Sequence, residues 1–332
     1  MDPIISPGNM SQHLHHIVGA SGFNQNYDPI KIRQSKCTSL GVEADMSNYW
    51  QPAVMKVLND GSYASMRTNT RIYYHTPRLA KGAKVEPFPF DYQMIGGSPS
   101  RKNFDNRNQE HLATLYYCEV KDSKGRIIKR YDTHALPKEA CSLLISKVFF
   151  PTCWNGKPFK LGGTPNAVYP KHGGGVFGPN CPKGYERRIP GILMEVWHFE
   201  ANQPATKSTN RFQYILGNGD TTGYGLHADF ANGWDMTILN RVLSECKRVP
   251  IEEPPNKACA ALAASYDRRK GDQCSIEGMI PNEKVGAKGE PSIKYLPGCN
   301  LPWSTGAKPS CDSTVFKGNP GWIRPSRGKT WP

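Results

Sequence analysis

L-A-T-L-Y-Y-C-E-V-K-D-S-K-G-R-I-I-K-R-Y, residues 112–131, is the stretch that decides the fold class. Two runs rich in aromatic and β-branched residues flank Asp122-Ser123-Lys124-Gly125, whose Asp and Gly are turn formers. The pattern predicts a hairpin with strands at 112–120 and 126–131. The same chemistry recurs at 66–75, 89–95, 145–150, 192–199 and 211–216, with a shorter strand at 14–18. Helical signals are few. Trp234, Ile238, Leu239, Val242 and Leu243 recur at helical spacing behind Asn232 or Asp235, which predicts one helix to about Cys246. A second short helix is expected over 258–266. With 32 glycines and 28 prolines in 332 residues and only 21% charged, the chain reads as ordered and loop-rich. The expected fold is mainly β (α+β), a single disulfide-stapled domain with a β-sandwich-like core and a few short helices. That domain is expected to cover residues 1–300, followed by an irregular Pro/Gly/Lys-rich tail over 301–332.

Ten cysteines without a C-x-x-C pair argue for disulfides made in an oxidising compartment rather than for zinc or thiol redox chemistry; their pairing stays open. The opening Met1-Asp2-Pro3-Ile4 has neither the basic nor the apolar region of a signal peptide, so a mature or trimmed form is expected. No apolar run approaches membrane-span length, so no membrane partner is expected. A net charge of +14 favours anionic partners. Basic residues are scattered without aromatic interleaving, which points away from nucleic acid and towards acidic polysaccharide. A monomer is expected. G-x-S-x-G, P-loop and H-E-x-x-H patterns do not occur, which removes the serine hydrolase, nucleotide enzyme and zincin classes.

Two histidine motifs carry the chemistry. In S-Q-H-L-H-H, residues 11–16, His13 and His15 stand two apart and would share one side of an extended segment, with His16 facing away. In G-Y-G-L-H-A-D-F-A-N-G-W-D, residues 223–235, His227 and Asp229 repeat that spacing just before the helix. The set could bind a divalent ion (zinc, copper or calcium) through His13, His15 and His227, or transfer protons without metal. Buried imidazoles bonding backbone carbonyls are the bland alternative. Asp45, Tyr49 and Trp50 in D-M-S-N-Y-W-Q-P, with Tyr224 and Trp234, could bind and stack sugars. Glu195, a carboxylate among apolar neighbours, is a candidate general acid. Asn218-Gly219-Asp220 reads as a turn.

D-P-I-I-S-P-G-x-x-S-x-H-L-H (2–15), C-T-S (37–39), D-M-S-N-Y-W-Q-P (45–52), F-P-T-C-W-N-G-K (150–157) and N-G-D-T-T-G-Y-G-L-H-A-D-F-A-N-G-W-D (218–235) together resemble one family. It is the secreted fungal and actinobacterial family called domain of unknown function nineteen-ninety-six, and the likeness runs to about residue 298. The resemblance implies secretion, one disulfide-bonded domain, carbohydrate-binding modules in relatives, and a role on cell-wall or plant polysaccharides. The family's recurrent histidines match His13, His15 and His227, and its acidic positions match Asp45, Glu195 and Asp229. Two positions depart from the pattern: Asn166 stands where relatives carry histidine, and Tyr185 stands roughly where another is usual. In a lyase-type site, Asn166 could bind a uronate carboxylate and Tyr185 could carry a proton.

The expected function is therefore a secreted carbohydrate-active protein, in the extracellular space or cell wall. It would cleave a polysaccharide by hydrolysis, the commoner chemistry, or by elimination on an acidic glycan. The alternatives are a non-catalytic glycan-binding or wall protein and a metal-dependent redox protein acting on polysaccharide.

Overall fold

A computed structural model describes residues 1–173, 175–199, 212–246, 257, 259–287, 289–310 and 321–324. Nine strands form two antiparallel sheets: β1 (His15–Gly19), β2 (Asn48–Pro52), β3 (Arg67–His75), β4 (Gln93–Gly97), β5 (Thr114–Lys121), β6 (Ile127–Thr133), β7 (Leu143–Phe149), β8 (Gly191–Phe199) and β9 (His227–Ala231). The four-stranded sheet runs β1-β2-β9-β4 and the five-stranded sheet β3-β8-β7-β5-β6. The hairpin at 122–125 forms as expected, with the Asp122 carboxylate accepting the Lys124 and Arg126 amides at 2.9 Å each.

The two sheets pack face to face. Alternation sends Tyr49, Met94, Ala228 and Phe230 inward from one sheet, and Tyr116, Cys118, Leu144, Val148, Met194 and Val196 inward from the other, into one apolar core. Phe230 lies at its centre, with ring centroids 4.9 Å from Phe88 and 5.1 Å from Tyr49. Two polar bridges cross the core: His16 Nε2 to Thr70 Oγ1 at 2.7 Å, and Gln51 Nε2 donating to Ser146 Oγ at 2.6 Å, which in turn lies 3.0 Å from His198 Nε2. His16 thus faces away from His15, as its spacing requires.

The β-sandwich expectation holds, and local differences have physical reasons. Strand β4 starts at Gln93 because the chain is still turning at Pro89, whose carbonyl accepts the Tyr92 amide. Strands β2 and β9 give no alternating signal because every residue in both is buried. The helix α1 (Met236–Glu245) is capped by Asp235, whose carboxylate accepts the Thr237 and Ile238 amides. The second expected helix is a 3-10 turn, Ala260–Ser265.

Four disulfides staple the domain: Cys37–Cys274, Cys118–Cys141, Cys153–Cys181 and Cys246–Cys259. Cys299 is also disulfide-bonded, while Cys311 lies outside the described residues. The described parts of the tail pack onto the domain. The Trp303 amide donates to Gly219 O at 2.8 Å and its indole to Asn218 O at 3.1 Å, and Trp322–Ile323 pairs with Ile280–Pro281. Among the described residues no helix is long and apolar enough to cross a membrane.

Candidate functional site

The outer face of the four-stranded sheet carries His15 from β1, Trp50 from β2, His227 and Asp229 from β9, and Ile95 and Gly97 from β4; the register pairs Trp50 with Asp229 and His227 with Gly97. His13 joins them from the segment entering β1, and that segment is fixed on both sides. The Ala53 amide donates to Leu14 O at 2.9 Å, and Asn300 Nδ2 donates to Gln12 O at 2.8 Å. Gly217 and Gly298 let two loops lie so close to Leu14 and Gln12 that a Cβ at either position would collide with their carbonyls.

The loop before His227 is ordered by Asp220. Its carboxylate accepts the Gly225 amide at 2.7 Å and the Thr222 amide and hydroxyl at 2.7 and 2.6 Å. Asn218-Gly219-Asp220 is thus the turn its sequence suggests, and Asp220 shapes the approach to the site.

The three imidazoles converge. Ring centroids lie 4.2 Å apart for His13 and His15, 5.5 Å for His13 and His227, and 6.4 Å for His15 and His227. One nitrogen from each lies within 4.8 Å of the other two. His227 Nδ1 is 2.8 Å from Gly225 O and must donate to it, so Nε2 carries the lone pair. His15 Nδ1 is 3.2 Å from Ser11 Oγ. His13 and His15 keep part of their surface exposed, but their Nε2 atoms are shielded from water and have no hydrogen-bond partner. Burial lowers all three basicities. His227 is held at about 4, and His13 and His15 lie well below the ordinary value, each further lowered by its neighbouring imidazoles and His13 also by Lys308. At neutral pH the cluster is three uncharged lone-pair donors. It can hold a borderline metal ion, and having no oxygen ligand it does not suit calcium.

The other candidates separate from this cluster. Asp229 shares its face, yet its two oxygens are buried without a partner; burial, with Asp2 adding, pushes its carboxyl well above the usual range. Glu195 faces the opposite way. Its strand neighbours Met194 and Val196 point into the core, so Glu195 lies on the outer face of the five-stranded sheet with Lys147 at 3.6 Å, Tyr73 at 3.3 Å and the Trp197 indole at 3.0 Å. The whole sandwich stands between Glu195 and Asp229. Asp45 is fully buried and accepts the Tyr74 and Tyr49 hydroxyls at 2.6 and 2.8 Å and the Ser47 amide at 2.8 Å, a core role.

The expected sugar platform is corrected likewise: Tyr49, Trp50 and Trp234 have at most 2% of their surface exposed, because β2 is buried along its whole length and Trp234 packs into the core ahead of α1. Tyr224 is half-buried and its carbonyl accepts Arg101 Nε at 2.6 Å. Asn166 is buried and spends its amide on Gln93 O at 2.8 Å, while the Tyr185 hydroxyl donates to Pro165 O at 2.7 Å, next to Asn166 in the chain.

A cavity of about 740 Å³ borders β4, the strand next to the one that carries His227, and is lined among others by Ile95, Gly97, Glu110, Lys160, Asn166 and Tyr169. Gly97 links the two regions, because it pairs with His227 in the sheet and also lines the cavity. Sequence reasoning missed Gly97, Ser11, Asn300 and Lys308. Gly97, Asn300 and Lys308 carry no local signal, because each matters through a partner far away in the chain, whereas Ser11 meets His15 four residues on, inside the quoted motif.

No curated protein and no solved structure matches the chain. Residues 2–234 match the family described as Domain of unknown function (DUF1996), a span that contains His13, His15 and His227. The three-histidine cluster therefore belongs to the family portion of the molecule, and the chain is a member of the DUF1996 family.

Proposed function

We propose that the protein is a secreted carbohydrate-active protein that holds a polysaccharide in the cavity beside β4 and acts on it at His13, His15 and His227. The observation that carries this reading is the convergence of three uncharged imidazoles one strand away from a cavity large enough for sugar rings. The disulfides suit an extracellular compartment, and the +14 charge favours an acidic glycan.

The geometry bears on the reaction type. Hydrolysis by a carboxylate pair needs the two groups about 5–9.5 Å apart across one bond, whereas Glu195 and Asp229 are on opposite outer faces of the sandwich. Elimination on a uronate needs instead a lone pair that takes the C5 proton; the C4=C5 double bond forms as the glycosidic oxygen leaves and is protonated. His13 and His15 keep part of their surface exposed, and in this reading one of them supplies that lone pair. The buried aromatics weaken the alternative of a passive sugar-binding platform.

The test is incubation with neutral and acidic polysaccharides, following reducing ends and the absorbance of unsaturated uronates. Product is expected from an acidic glycan with the wild type and at least about a 100-fold loss with His227→Ala. No product from any glycan would sink the enzymatic reading, and equal rates for the two proteins would remove the cluster from it.

A further inference from the structure

We infer that His13, His15 and His227 form the binding site for a single late first-row divalent ion, Zn²⁺ or Cu²⁺, with three imidazole nitrogens as ligands and a coordination position left for a water or substrate atom. The inference needs no polysaccharide and competes with the proton-transfer role of the cluster, because the lone pairs that hold the ion no longer serve as the base.

Three observations carry it. One nitrogen from each ring already lies within 4.8 Å of the others, and a metal–nitrogen bond of about 2.0–2.1 Å needs separations of about 3.3 Å, a contraction that side-chain rotation supplies. His13 and His15 each bury an Nε2 with no hydrogen-bond partner, an arrangement that packing alone does not reward and a shared cation explains. Finally, two of the rings are held through the other nitrogen: Gly225 O fixes His227 Nδ1 and Ser11 Oγ meets His15 Nδ1, the outer support that metal-bound histidines use.

The donor set chooses the ion. Neutral imidazoles without thiolate or carboxylate suit zinc and copper and disfavour calcium and magnesium, which want oxygen. Three protein ligands are the number found where a metal keeps a reactive position rather than serving only as a staple. The segment bearing His13 is pinned by Ala53 and Asn300, so its backbone is in place before the ion arrives and only the side chains have to move.

The experiment uses the full chain, stripped with a chelator and titrated separately with Zn²⁺ and Cu²⁺ by calorimetry at neutral pH. One equivalent per chain is expected, with affinity falling at least about 100-fold in His227→Ala and in the His13→Gln, His15→Gln double variant. Near-UV circular dichroism shows whether each variant keeps its fold. Should a variant unfold, the electron paramagnetic resonance of the Cu²⁺-loaded wild type decides, since imidazole nitrogens give resolved nitrogen hyperfine structure. Binding of either ion at one equivalent with that dependence supports the site. A folded wild type that binds neither ion, variants that bind as tightly as wild type, or a copper spectrum without nitrogen coupling would each overturn it.

Discussion

Two buried carboxyls of this fold differ in their neighbours: Asp229 has no hydrogen-bond partner, whereas two tyrosine hydroxyls and the Ser47 amide all donate to Asp45. Asp45→Asn turns part of that acceptor into a donor facing donors and should cost about 2–4 kcal/mol in urea unfolding, while leaving activity per folded molecule unchanged. A matching loss of activity would move Asp45 into the site. His198 shows the same dependence on surroundings. Burial, with His16 adding, lowers its imidazole from 6.5 to about 3, so it stays neutral in the fold. The unfolded chain then binds the proton more readily than the native one. This contribution to stability is complete above about pH 6.5 and declines by about 1.4 kcal/mol per unit as the pH falls through the window towards 3. His198→Gln should flatten the pH dependence of the urea midpoint there, and an unchanged slope would reject this account.

At the level of elements, β9 shows what can be read from a chain and what cannot. The alternation of His227 and Asp229 is visible in sequence, and both do lie on one face of the sheet. That β9 is a central strand is not visible. Its burial on both faces removes the polar alternation that marks a half-buried strand, and β2 hides for the same reason, its Gln51 and Asn48 finding acceptors for their amide hydrogens only across the fold. The strands with ordinary β-branched and aromatic patterns, β3, β5, β7 and β8, were legible to within two residues at each end. Gly97 closes the sheet beside His227 with a positive φ of 74°, and a Cβ there would stand 2.6 Å from Leu226 O and 3.2 Å from His227 Cα. Gly97→Ala should therefore cost about 1–3 kcal/mol and displace His227, seen as a lower urea midpoint together with lost activity. Normal stability and activity would show that the strand edge yields freely.

Across the whole molecule, the longest covalent tie among the described bridges is Cys37–Cys274, which joins residues 237 apart. In the chain-entropy account a loop of that size is worth roughly 5 kcal/mol, and engineered removals usually show about 2–5. Replacing both cysteines by alanine should lower the unfolding free energy by that amount and leave the three-histidine cluster, which is held by other contacts, intact. Cluster integrity can be followed by the reaction of its imidazoles with diethyl pyrocarbonate. A loss of the cluster together with the bridge would show that the staple also positions the site.

The sequence by itself determined the β class, the hairpin at 122–125, the helix behind Asp235 and the short list of histidines, because turn chemistry, strand propensity and side-chain alternation act over neighbouring residues. The tertiary structure alone decided which candidates meet. It brought His13 and His15 to His227 across more than two hundred residues, and it put Glu195 on the far side of the sandwich. It also buried Tyr49, Trp50 and Trp234 in the core. The physical reason is that alternation fixes which residues share a face of a strand, whereas which face is covered, and by what, depends on strand order and on loops such as those at Gly217 and Gly298 that no local pattern encodes.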